Sequence, residues 1–255
     1  MQSIANRLRS ALARRFLLSI RRASHRMPVQ LEAPTRSRVL VVAPHMDDEV
    51  IGCGGTLLLH QALRSSVRVV FVSDSSTGAS DAAVADRIRA IRRAEMLRVR
   101  AALELDSITE LGFPDSRLIH HEMPIAQGLA AEIGAFAPTQ IFCPFPVDGH
   151  ADHQACAYAL GHATQITGWR GEIMAYEVWS ALWPNLAVDI GTVAPQKAAL
   201  IGLYASQLSD RDYASAILGL NRYRGLQHRI EFAEAFHCSG VEAFRELTQL
   251  LDRLS

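Results

Sequence analysis

Residues 38–43 (Arg-Val-Leu-Val-Val-Ala) and 67–72 (Val-Arg-Val-Val-Phe-Val) are nearly unbroken aliphatic and β-branched runs. That pattern predicts strands covered on both faces. Shorter runs at 107–111, 139–143 and 173–178, and a weaker one at 186–190, predict further strands; Pro144 stops the fourth. Between and after them, residues 50–63, 81–104, 124–136, 153–166, 194–205, 210–222 and 240–253 read as helices. The helix at 81–104 has Asp81 and Asp86 near its start and arginines afterwards, a polarity that suits the helix dipole. Strands alternating with helices predict an α/β fold, with a mostly parallel sheet flanked by helices.

Length and charge narrow the picture. A chain of 255 residues fits one large α/β domain, or one domain with a small appendage. Lys+Arg and Asp+Glu balance at 26 each, which argues against nucleic acid as a partner. Lys197 is the only lysine. The four cysteines form no Cys-x-x-Cys pair, so reduced thiols in a cytoplasmic protein are expected. No apolar run approaches the ~20 residues of a membrane span.

Residues 1–36 differ from the rest. Seven arginines occur before the first acid, Glu32, and Ile4, Leu8, Leu12, Phe16 and Ile20 recur at helical spacing. We read 1–36 as a basic amphipathic extension and 37–255 as the single folded domain. Residues 1–26 could touch an anionic membrane surface, at the inner face of the membrane, or dock on a partner. A surface-packed extension is the plainer alternative.

Two polar clusters sit where strands should end. His45-Met46-Asp47-Asp48-Glu49 follows the first strand, and Asp148-Gly149-His150-Ala151-Asp152-His153 follows the fourth. Imidazole and carboxylate together are ligands for zinc or another divalent transition metal. In an open parallel sheet, both clusters should open on the same carboxyl edge. Three protein ligands leave a catalytic metal one position for water, and hydrolysis also needs a base and an electrophilic donor. His45, Asp48 and His153 as ligands leave Asp47 as base and His150 as donor, with Asp152 to orient an imidazole. Spacing alone leaves this division of labour open. Gly52, Gly54 and Gly55 could suggest a phosphate cradle, but the acidic stretch before them would repel phosphate.

Ala43-Pro44-His45-Met46-Asp47-Asp48-Glu49 with Gly54-Gly55-Thr56, followed by His150-Ala151-Asp152-His153, resembles the LmbE-like/PIG-L family of zinc-dependent N-acetylglucosaminyl deacetylases. Met46 stands where that family has proline. The resemblance implies a Rossmann-like three-layer core and Zn²⁺ held by His45, Asp48 and His153. It also implies Asp47 as general base, His150 as stabiliser of the tetrahedral intermediate, and Asp152 as the partner of His150. Arg92 and Asp115 look like the family's sugar contacts. The implied substrate is an N-acetylated amino sugar or glycoconjugate.

Tyr204-Ala205-Ser206-Gln207 resembles another family segment, without a mechanism that the sequence supplies. Trp179 or Trp183 could stack on a sugar, and Arg222 or Arg224 could grip an anionic group. Two alternatives stay open: the same site acting on a longer acyl chain or a secondary-metabolite amide, and a non-catalytic binding module of the same fold. Oligomeric state is not legible.

Overall fold

The computed structural model describes residues 29–76, 79, 81–208 and 212–252. The expected amphipathic helix at 1–26 therefore lies outside the described residues. Eight strands form one sheet: β1 (Gln30–Leu31), β2 (Arg38–Ala43), β3 (Ser66–Ser73), β4 (Ser107–Phe113), β5 (Gln140–Pro144), β6 (Glu172–Tyr176), β7 (Leu186–Asp189) and β8 (Ala233–Gly240). The helices are α1 (Asp48–Ala62), α2 (Ala82–Ala102), α3 (Glu122–Phe136), α4 (Ala151–Thr167), α5 (Ala194–Gly202), α6 (Tyr213–Leu226) and α7 (Val241–Asp252).

Strand order is β1-β7-β8-β6-β5-β2-β3-β4. All neighbouring pairs are parallel except those of β8 with β6 and β7. The chain runs outward from β2 through β3 to β4, then returns to place β5 on the other side of β2. That reversal opens a crevice beyond the carboxyl ends of β2 and β5, where ligands gather in such sheets.

Alternation along β2 shows why its run is continuous. Val39, Val41 and Ala43 join the core beneath α1, α2, α5 and α6; Leu40 and Val42 join the opposite core beneath α3, α4 and α7. Both faces are covered from Val39 to Ala43, so each of those positions is apolar. The glycines of α1 serve close packing. A Cβ at Gly52 would stand 2.2 Å from the Tyr176 ring, and one at Gly55 2.7 Å from Ile190. Helix α1 breaks at Cys53 (φ −142°, ψ 17°), and the Glu234 carboxylate accepts the N–H groups of Gly55 and Thr56 at 2.8 and 2.7 Å. Lys197 in turn donates to Glu234 at 2.6 Å and to Asn221 at 3.0 Å.

Two features differ from the sequence reading. Strand β8 was not anticipated, because Glu234 and His237 interrupt its apolar run; both are buried with polar partners on other elements. Gln30–Leu31, assigned to the extension, pairs with Leu186–Ala187 at the sheet edge. Among the described residues no helix is long and apolar enough to cross a membrane.

Candidate active site

The loop after β2 turns sharply into α1. His45 donates its backbone N–H to Asp48 Oδ2 at 2.9 Å, and the Asp47 carbonyl accepts the N–H groups of Val50 and Ile51 in the first turn of the helix. Asp47 has a φ of 141°, in the region that residues with a Cβ avoid. Met46 donates its backbone N–H to Ser75 Oγ at 3.0 Å, a bond that a proline at this position could not make. After β5, His150 caps α4: its Nδ1 accepts the Asp152 N–H at 3.2 Å.

Because β2 and β5 are paired in parallel, the two loops meet. Asp48 Oδ2 lies 3.2 Å from His45 Nδ1 and 3.3 Å from His153 Nε2. Atoms bound tetrahedrally at about 2.0–2.2 Å stand roughly 3.3–3.6 Å apart, so this spacing suits one ion. His45, Asp48 and His153 form one group with ligand atoms mutually within 4.8 Å, and His45, His150 and Asp152 form a second, overlapping one. His153 is fully buried, yet neither ring nitrogen has a hydrogen bond. Its nitrogens face the Asp48 and Asp148 carboxylates at 3.3 and 3.5 Å without a hydrogen bond, and a cation at Nε2 would satisfy that nitrogen and Asp48 together. The residues therefore fit a divalent metal. Asp148 Oδ1 stands 3.5 Å from His153 Nδ1, on the side away from Asp48, where a carboxylate would orient a ligating imidazole.

Electrostatics separate the carboxylates. Burial opposes the charge of His45, but hydrogen bonds to Asp115, Asp152 and Asp48 outweigh it and hold the imidazole well above its usual value. Burial likewise opposes ionisation of Asp48, yet the His153 and His45 rings keep its carboxyl far below the usual range. Burial and the adjoining Asp48 charge push Asp47 up, and Arg92 offsets this in part. Burial, followed by the charges of His45 and His153, lowers His150.

Asp152 differs from its expected role. Its carboxylate does not pair with His150: Oδ2 faces His45 Nε2 at 3.2 Å and accepts the Ser116 N–H at 2.7 Å, while Oδ1 accepts the Leu118 N–H at 3.0 Å. Its hydrogen bond with His150 runs through the backbone: the Asp152 N–H donates to His150 Nδ1. The N–H groups of the loop after β4 have captured the carboxylate.

A cleft of about 240 Å³ opens over these groups. His45, Asp47, Asp48 and His150 line it, with Arg92 from α2 and Asp115 on the sides. Trp179 forms a wall, its ring stacked on His150 (centroids 6.4 Å) and edge-on to Tyr213 (6.0 Å). Trp183 is exposed and is not among the lining residues. Arg224 is buried in a bidentate pair with Glu177 and also donates to the Leu182 carbonyl, which explains it without a ligand. The sequence reading missed Tyr213 and gave Asp148 no role; an acid two residues before the second cluster's first histidine was the available signal.

The PIG-L family model, described as GlcNAc-PI de-N-acetylase, matches residues 40–164. The chain is 27% identical over 192 residues to diacetylchitobiose deacetylase of Thermococcus kodakarensis, covering 68% of this chain and 71% of that protein. It is also 27% identical over 191 residues to a probable N-acetyl-alpha-D-glucosaminyl L-malate deacetylase 2 of Bacillus cereus, covering 66% and 83%. The structure superimposes on N,N'-diacetylchitobiose deacetylase from Pyrococcus horikoshii with a TM-score of 0.71, at 22% identity, over 80% of this chain and 84% of that one. The chain thus shares the α/β fold of that structure, and a His/Asp group able to hold a metal lies where its strand order reverses. The likeness to the PIG-L family covers residues 40–164, a little under half of the chain.

Proposed function

We propose that this protein is a metal-dependent hydrolase. It removes the acetyl group from an N-acetylglucosamine-type amino sugar or glycoconjugate, releasing acetate and the free amine. The observation that carries the reading is the convergence of His45, Asp48 and the buried His153, whose ligand atoms lie mutually within 4.8 Å. In this reading those three residues hold the ion, with Zn²⁺ the first choice. When bound, the ion supplies Lewis acidity, polarising the acetyl carbonyl and acidifying water.

The chain's own groups do the rest. Asp47 takes a proton from the attacking water. His150, which lines the cleft, stabilises the charge of the oxyanion that develops as water adds to the carbonyl carbon. The carbon–nitrogen bond then breaks, and the proton held by Asp47 passes to the leaving nitrogen. Asp152 fixes His45 from the side away from Asp48. Arg92 and Asp115 bind sugar hydroxyls, and Trp179 offers an apolar face for a ring. The catalytic domain comprises the sheet and its helices, with the edge strand Gln30–Leu31 included. The four buried cysteines suit a reducing cytoplasm.

The test is metal content together with acetate release from N-acetylglucosamine, diacetylchitobiose and longer N-acyl glucosamines. Activity lost on chelation and restored by Zn²⁺ supports the reading. A metal-free protein that releases no acetate from any of them defeats it.

A further inference from the structure

The segment Tyr204–Gln207, which the sequence flagged without a mechanism, reaches the cleft from behind. A φ of 141° at Asp47 costs free energy and persists only where neighbours enforce it. Glu49 is the neighbour in position to do so. Its Oε2 accepts the Asp47 backbone N–H at 3.1 Å, and its Oε1 accepts the Tyr204 hydroxyl at 2.5 Å. Glu49 and Tyr204 are 0% and 1% exposed, and neither lines the cleft. They cannot touch a substrate, but they can aim a residue that does.

The other end of the segment makes a matching connection. Ser206 donates its N–H and hydroxyl to the two oxygens of Glu95 at 2.8 and 2.6 Å, and Gln207 accepts from the Arg92 guanidinium. Arg92 and Glu95 are both buried and lie a turn apart on α2. One short turn of chain therefore braces the Asp47 loop at one end and the Arg92 guanidinium at the other.

We infer that Tyr204, acting through the Glu49 carboxyl, is a positioning residue for Asp47: it holds the Asp47 peptide in its strained turn so that the side chain faces the cleft. This rests on the proposed role of Asp47 as base. Without the bond from Glu49 the Asp47 backbone relaxes toward negative φ, and its carboxylate swings away from the attacking water. Displacements of this size cost between about tenfold and a hundredfold in rate.

Three variants test it: Tyr204→Phe, Glu49→Met and Glu49→Gln. The glutamine keeps an acceptor for the Asp47 N–H and can donate its amide N–H to the Tyr204 oxygen. The expected result is a kcat lower by about tenfold or more in Y204F and E49M, with KM, metal content and Tm held, and most of that loss recovered in E49Q. Unchanged kcat in Y204F and E49M overturns the inference. So does a loss that tracks metal content or Tm, which marks a scaffold role, and so does an equal loss in E49Q, which makes charge the cause. If the wild type releases no acetate from any substrate, the proposed function fails by itself. Crystals of metal-free E49M then decide the positioning: an Asp47 φ that stays near its wild-type value overturns it, and one that relaxes supports it.

Discussion

Asp47 and Asp48 are adjacent in the chain and opposite in electrostatic character. Asp48 turns its carboxylate between the rings of His45 and His153 and is held ionised, whereas Asp47 lines the cleft and is pushed toward its neutral form. Neighbouring carboxylates whose environments drive them apart can divide the tasks of ligand and proton carrier.

Asp47→Asn is accordingly expected to keep the metal and lose turnover by about a hundredfold or more. His45→Ala is expected to lose both. Metal analysis of each purified variant beside its acetate-release rate checks the division; an Asp47→Asn enzyme of full activity removes the proposed base.

The buried pair of Lys197 and Glu234 predicts a large stability effect. Lys197 is 0% exposed and Glu234 1%, so removing the ammonium strands a carboxylate that also caps the second half of α1. Lys197→Met should cost on the order of 3–5 kcal/mol in urea unfolding. The double variant Lys197→Met/Glu234→Gln should lose less than the sum of the two single changes, because the second change relieves the unpaired charge.

His60 predicts an acid-side loss of stability. It is buried against the Phe142 ring with only its Nδ1 bonded, to Ser65, and burial lowers its pKa to about 4. The unfolded chain, with a value of about 6.5, takes up the proton first. The His60 contribution is therefore complete above pH ~6.5 and is lost as pH falls toward 4, amounting to on the order of 3 kcal/mol. His237, also lowered by burial, acts with the same sign. Urea unfolding between pH 7 and 4.5 should show a shallower decline for His60→Leu than for the wild type.

The basic amino-terminal segment carries a separate prediction. Because Gln30–Leu31 belongs to the sheet, the informative truncation begins at Pro28 rather than within the folded chain. If residues 1–26 contact anionic lipid, full-length protein should sediment with phosphatidylserine vesicles and the truncated form should not, with binding weakened by salt. Equal sedimentation of the two forms rules out that contact.

The amino-acid sequence by itself determined the strands β2 to β7, the helices between them and the two polar clusters at strand ends. Periodicity is local, and residues 38–43 cannot alternate when both faces of the strand are buried. The family likeness also rested on local motifs. Tertiary structure alone decided the partners of buried polar groups. Asp152 turned to His45 and two loop N–H groups, Glu234 found Lys197 and the break in α1, and Tyr204 found Glu49. It also decided the antiparallel β8, whose polar positions look like interruptions until those partners are in place. Such pairings join distant segments, and what fixes them is the cost of leaving a buried donor or acceptor unmatched, a quantity that exists only once the chain has closed around it.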